Sequence, residues 1–200
     1  KYDYYKDSNV LLEAFKVGDY DYRREFNAQR WQTNYDFPAV DRGDVILHEM
    51  KNDRPTGMNA LAMNSRREIF SNPRVREALS YAYDHEWINK VLYDNAYTRT
   101  DSYFDNSPLA SSGLPSKEEL ELLNPWKDKL PEEIFTKTYK PPISDGSGMP
   151  RDNLRIAKKM LEEEGWKIED GKLMKEGKEF VFEFLIVSPS VERLALAFQK

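Results

Sequence analysis

The chain has 200 residues, 40% hydrophobic and 32% charged, with a formal net charge of -5 and no cysteine. That length allows one or two domains with a real core, and the missing thiols exclude disulfides, thiolate catalysis and cysteine-based zinc sites. The acidic balance argues against nucleic acid, whose phosphates are met by clustered Lys and Arg, and no run approaches the roughly 20 apolar residues of a membrane span.

Residues 2–6 alternate tyrosine with charge and predict a strand. Ser8 is placed to cap a short helix with Val10, Leu11, Ala14 and Phe15 as its apolar residues, and Gly18 suits a left-handed stop. Residues 19–23 predict a second strand with Tyr20 and Tyr22 on one face, so strand, helix and strand suggest a small βαβ unit. Residues 27–35 predict another helix with Trp31 inward, and residues 37–44, with Pro38 and Gly43, a loop. Residues 45–50 predict a strand, 52–57 a turn carrying Pro55 and Gly57, and 59–64 (Asn-Ala-Leu-Ala-Met-Asn) its partner strand.

Two helices follow. Asn72 and Pro73 punctuate, and Pro73 suits the first helical position because its missing N–H is not needed there. Val75, Ala78, Leu79 and Ala82 recur at helical spacing, and Asp84 is placed to cap a second helix with Ile88, Val91 and Leu92 inward. Residues 93–114 read as loop, and a short helix is expected from Pro115-Ser116 to about Leu123. Residues 125–148 are rich in Pro and Gly, a length typical of a functional loop or a wrap over the molecule. Asp152 is expected to cap a helix to Glu164 with Leu154, Ala157 and Leu161 inward, Gly165 to end it and Trp166 to pack back. Residues 173–175, a turn at Glu176-Gly177 and residues 179–187 predict a hairpin. Its longer strand alternates Phe180, Phe182 and Phe184 with Val181, Glu183 and Leu185 and is expected inside a sheet. Ser190 is a candidate cap for a last helix with Val191, Leu194, Ala195 and Phe198 on one face. Both ends read as cut, so the chain is expected to be an internal piece of a longer protein.

Chemistry-bearing motifs are sparse. His48 and His85 have no metal-ligand spacing, and His85 is expected at the surface. Asp145-Gly146-Ser147-Gly148 lacks the Lys-Ser/Thr of a phosphate loop and reads as a surface loop. Glu118-Glu119 and Glu162-Glu163-Glu164 read as solvated helix faces, with a glycosidase-like carboxylate pair as the alternative. Arg66, Arg67, Arg74 and Arg76 read as surface ion pairing, with one Arg receiving a carboxylate or phosphate through its planar fork as the alternative. Arg99 is the better ligand candidate, because polar side chains on a loop between Tyr97, Tyr103 and Phe104 are what a polar-ligand cleft needs. On these grounds the chain is an α/β piece with a polar loop cluster and no catalytic constellation, which favours binding over catalysis.

Residues 64–70 and Asn72-Pro73-Arg74-Val75-Arg76-Glu77-Ala78-Leu79-Ser80-Tyr81-Ala82-Tyr83-Asp84 resemble the signature of family 5 extracellular solute-binding proteins, the peptide and nickel receptors of bacterial ABC importers. Residues 12–21, 97–102 with Ser112-Gly113-Leu114-Pro115, and 153–166 agree in order, and the second of these segments is most similar to the YejA-like oligopeptide-binding branch. The resemblance implies a type II periplasmic-binding-protein-like α/β fold of the large peptide-binding class. Residues 1–58 would end the first lobe, 59–64 would cross between lobes, and 65–200 would form much of the second lobe, truncated at its C-terminal side. It implies a non-enzymatic, monomeric importer component, periplasmic or lipid-anchored outside the cytoplasm, whose partners are an oligopeptide or peptide-like ligand and a membrane permease. No cofactor or metal is implied, with nickel or haem cargo a lesser option and a carboxylate-based hydrolase the competing reading. The ligand-facing candidates are Asn59, Asn64, Arg99, Asp101 and Tyr103.

Overall fold

A computed structural model describes residues 3–186 and 189–199. The elements in order are α1 (Ser8–Lys16), α2 (Ala28–Thr33), α3 (Pro38–Asp41), α4 (Glu68–Ser71), α5 (Pro73–Ala82), α6 (His85–Tyr93), α7 (Lys117–Leu123), a 3-10 turn (Asn124–Lys129), α8 (Glu133–Thr136) and α9 (Arg151–Glu163). Strands β1 (Lys167–Glu169), β2 (Lys172–Lys175) and β3 (Lys178–Glu179) follow, and α10 (Pro189–Gln199) is last.

The helices begin and end for local reasons. Asp7, not Ser8, caps α1, its carboxylate accepting the amides of Asn9 and Val10. The face turned inward carries Leu12, Ala14 and Phe15, whereas Val10 is exposed. Gly18 at φ +84° lets the Gly18 and Asp19 amides return to the Phe15 and Ala14 carbonyls, which closes the helix. Asn72 caps α5 with Pro73 at the first helical position, Asp84 caps α6 through the Trp87 amide, and Ser116 and Glu119 form a reciprocal capping box on α7. On α6, Ile88 is buried but Val91 is exposed. Helix α9 starts at Pro150 without a side-chain cap; Asp152 sits in its first turn, and Leu154 faces solvent. Gly165 at φ +87° ends it, with the Trp166 amide returning to the Leu161 carbonyl.

Two apolar cores result. Leu12, Phe15, Tyr35 and Phe37 form the first, with Tyr20, Trp31, Ala39, Val40 and Val45 against them. In the second, α5 lies along α9: Val75 and Ala78 meet Ala157, Met160, Leu161 and Trp166, and Leu173 and Phe180 cover them. Ala78 is wholly inaccessible, so the small residue is what lets the two helices approach. Helix α6 touches α10 and α2, and Arg193 donates to the Gln29 side chain at 3.3 Å, which bridges the two cores.

Strand expectations fare worse than helix expectations. Among the described residues the only sheet is the antiparallel meander β1-β2-β3. Its two-residue turns, Asp170-Gly171 and Glu176-Gly177, all have positive φ. Residues 3–6, 19–23, 45–50 and 59–64 form no ladder, so neither the βαβ unit nor the hairpin across 52–57 forms; Tyr2 lies outside the described residues. A strand needs a second segment laddered against it, and among the described residues none of these runs pairs with one in a sheet. Beyond β3 the chain runs through residue 186 with Phe182 and Phe184 packed in a relay of rings from Trp166 to Phe198, while Val181 and Leu185 are 63% and 93% exposed. One face of this segment is therefore covered, not two; Val187 lies outside the described residues.

Candidate functional site

The five candidate residues fall into two groups. Asn59 and Asn64 are exposed on the extended run 59–64, and the Asn64 side chain accepts the Arg66 amide at 3.2 Å in a local turn. Arg99, Asp101 and Tyr103 lie on the loop that leaves α6. Asp94 and Asn95, both at positive φ, end the helix, and the Asn89 side chain grips the backbone of Tyr97 at both its amide and carbonyl. Arg99 donates to the Pro142 carbonyl and stacks over the Tyr83 ring, 5.7 Å from its centroid. Asp101 pairs with Lys140 at 2.5 Å. Ser102 is buried and its hydroxyl accepts the amides of Phe104 and Ser111, which folds the loop back on itself. Tyr103 is left 77% exposed.

The same loop reaches the chain that precedes residue 59. Asn106 donates to the carbonyls of Asn52 and Arg54, and the Thr56 amide donates to the Asp105 carbonyl at 3.0 Å. No hydrogen bond or ion pair joins Asn59 or Asn64 to Arg99, Asp101 or Tyr103 among the described residues.

Sequence reading missed the polar cluster behind this loop. Asp84, only 6% exposed, accepts the Trp87 amide and the Ser144 hydroxyl on one oxygen and the Gly148 amide on the other. Glu86 accepts the Ser144 amide at 3.0 Å and its hydroxyl at 2.6 Å. Burial alone would raise the Glu86 carboxyl, but the Ser144 hydroxyl and amide outweigh it and hold the group below the usual carboxylate range. His85 is half-buried beside Tyr83, not a free surface residue; burial and then the Arg99 charge lower its pKa. Asp145-Gly146-Ser147-Gly148 is a docked loop: a Cβ at Gly148 would meet the Trp87 indole nitrogen at 2.7 Å. The Gly148 amide donates to the carboxylate of Asp84, the residue that caps α6, so that amide is not available to a phosphate. A cavity of about 110 Å³ lies alongside, lined by Ala82, Trp87, Ile88, Pro150 and Phe198 among others.

A second unforeseen cluster sits on the first core. Arg23 and Glu25, side chains each 5% exposed, pair at 3.0 Å, and the Arg23 guanidinium also donates to the hydroxyls of Tyr35 and Tyr20. Burial opposes ionisation of Glu25, yet the Asn27 amide and the Arg23 charge outweigh it and lower its pKa. The Arg-x-Glu spacing was visible in the sequence; that two tyrosines would close over it was not.

The remaining charged runs are accounted for structurally. Glu119 serves the capping box, Glu162 pairs with Lys158, Glu163 with Arg74, and Glu164 accepts the Asn72 amide group. Arg76 donates to the carbonyls of Phe70 and Ser71. No group of three His, Cys, Asp or Glu side chains that could hold a metal occurs among the described residues. What the loop offers is an exposed ring, amide groups and positioned charges, which is chemistry for binding.

The family model described as "Bacterial extracellular solute-binding proteins, family 5 Middle" matches residues 1–200. The chain is 43% identical over its full length to "Uncharacterized protein YejA" of Escherichia coli, covering 33% of that protein. It is 42% identical over 98% of its length to "Probable peptide-binding protein YejA" of Agrobacterium fabrum, again 33% of that protein. To "Peptidoglycan-binding protein YepA" of the same organism it is 39% identical over 98% of its length, 34% of the relative. The chain thus spans about a third of the length of the curated relatives it matches.

Proposed function

The chain belongs to the bacterial extracellular solute-binding proteins, family 5, and we propose that it serves in a receptor that captures oligopeptides outside the cytoplasm for an ABC importer. The family has the type II periplasmic-binding fold, and its members are binding components. The observation that carries the reading is the match over the whole chain, joined to 42% identity with a relative named as a probable peptide-binding protein. The mixed helix and sheet agree with it, and no helix among the described residues is long and apolar enough to cross a membrane.

In this reading residues 1–58 close the first lobe, 59–64 cross between lobes and 65–200 build much of the second. Two separate cores, one made of residues 12–45 and the other of residues 69–180, support that division. Asn59, Asn64 and Tyr103 face the ligand, and Arg99 and Asp101 shape the wall behind them. The exposed Tyr103 ring and the exposed amides fit a ligand that is polar along its backbone and varied in its side chains. The receptor acts as a monomer, without enzymatic activity, and hands its cargo to a membrane permease.

Titration calorimetry of the full-length protein tests this against a peptide library, a peptidoglycan stem-peptide fragment and a sugar panel. Binding of free peptides is expected. Binding of the peptidoglycan fragment alone would move the cargo to that class, which the 39% identical relative makes the specific competitor. Binding of sugars alone would overturn the peptide reading.

A further inference from the structure

Each of the two groups of candidate residues has an arginine of its own that meets no carboxylate among the described residues. Beside Asn59 and Asn64 it is Arg66. The run 59–64 ends in a turn in which the Arg67 amide returns to the Asn64 carbonyl at 2.9 Å. The Asn64 side-chain oxygen takes the Arg66 amide at 3.2 Å and the Arg66 Nε at 3.4 Å. Arg66 is thus held by one edge of its guanidinium, and its two terminal nitrogens have no acceptor among the described residues.

Beside Tyr103 it is Arg54. Asn106 donates to the carbonyls of Asn52 and Arg54, and the Thr56 amide and hydroxyl both donate to the Asp105 carbonyl. The Arg54 amide in turn donates to the Asn52 side chain at 3.2 Å. The backbone around Arg54 is therefore pinned to the Tyr103 loop, while its side chain is exposed and has no acceptor among the described residues.

The neighbouring arginines are committed elsewhere. Arg74 pairs with Glu77 and Glu163, Arg76 and Arg99 donate to backbone carbonyls, and Arg67 comes within 3.9 Å of Glu183. Residues 51–67 carry Lys51, Arg54, Arg66 and Arg67 against a single acid, Asp53, in a chain whose net charge is -5. A guanidinium presents a rigid planar fork that matches a carboxylate through two parallel N–H···O bonds. Such a pair is worth little in open water and more once the partner is enclosed.

We propose that Arg54 and Arg66 each receive a side-chain carboxylate of the cargo, so that the solute class is acidic peptides rather than peptides at large. The proposal rests on the peptide-receptor reading and adds charge selection to it. Asn59, Asn64 and Tyr103 serve any peptide, and the two forks choose among them. A glutamine in place of a glutamate has no charge and keeps only one acceptor oxygen, its other terminal atom being a donor like those of the guanidinium. An acidic chain repels acidic peptides at long range, so a preference for them has to come from local cations such as these.

The full-length protein is equilibrated with an equimolar mixture of two tetrapeptide pools, and the bound peptides are released and counted by mass spectrometry. The pools have free termini and differ only in carrying Glu or Gln at the central positions, so terminal charges cancel. The Glu pool is expected to be enriched at least about tenfold at low salt. Arg54→Gln and Arg66→Gln should each cut that enrichment at least about threefold, and Arg54→Lys and Arg66→Lys should retain part of it, since the charge stays and the fork goes. Retention of the Gln pool by the same variants shows that they are folded. A wild-type enrichment within about twofold of unity overturns the charge selection and leaves the peptide reading standing. A variant with the wild-type enrichment overturns the assignment of that arginine. Retention of neither pool by the wild type overturns the peptide reading and the charge selection with it.

Discussion

Single side chains carry unusual weight at the start of α6. Asp84 caps the helix, as its position before His85 suggested, but it also receives two donors from 60 or more residues away. The cap was legible because it depends on residues three apart; the Ser144 and Gly148 contacts were not, because nothing local announces them. His85 was expected at the surface, and the chain instead half-buries it beside Tyr83 and near Arg99. Its folded pKa is therefore depressed, so its contribution to stability is present above 6.5 and is lost as the pH falls through the lowered value. A proton NMR titration should place the His85 midpoint below 6.5 and move it upward in Arg99→Gln, since the Arg99 charge is one of the depressing causes. In the second core, Leu161→Ala should cost about 2–5 kcal/mol in urea denaturation, because Leu161 is 8% exposed and sealed between α5 and Trp166.

Among the elements, the longer helices were read well, the short α3 and α8 lie in runs read as loop and α4 was not foreseen, and the strands were read poorly. α5 had a stripe and a start signal at Asn72-Pro73, α9 a stripe and a stop at Gly165, and they pack on those stripes, with Met160 added and Leu154 left out. The Asp170-Gly171 turn is a strong hairpin signal that would have revealed β1 from sequence alone. Gly165 is required by its backbone and not by space: the nearest atom to a Cβ there is the Lys175 Cε at 3.5 Å. Gly165→Ala should lower stability by about 1–2 kcal/mol, the cost of a left-handed L-residue, and calorimetric melting would show it. The segment 23–35 makes the opposite kind of demand. Glu25→Gln would leave Arg23 buried without its countercharge, and a loss of about 3–5 kcal/mol is expected in urea titration, with Arg23→Met/Glu25→Leu recovering much of it.

At the scale of the molecule, two cores meet through α2, α6 and α10 rather than through a shared sheet. Trp31 sits on the first core and Trp166 in the second, so each reports on its own unit. Leu12→Ala, at a side chain 1% exposed, should bring forward the urea transition seen by Trp31 and leave that of Trp166 nearly unmoved. Coincident shifts at both would show that the bridge between the cores is strong enough to make them one cooperative unit. The extended runs tell the same story from the surface. Ile46 and Leu185 are 85% and 93% exposed in a chain that spans about a third of its relatives' length.

The sequence by itself determined what depends on neighbours within a few residues: helix caps, left-handed stops, the apolar stripes of α5 and α9, and the motifs that mark the family. Its reading of Asn59, Asn64, Arg99, Asp101 and Tyr103 as a candidate set came from residue type and loop context. Only the tertiary structure decided that Arg99 and Asp101 are held from behind by residues 140–148, that Asp84 and Glu86 share one serine, and that Arg23 and Glu25 are closed under two tyrosines. It also decided which extended runs become strands, since a ladder needs a second segment in register and a residue's own pattern cannot supply one.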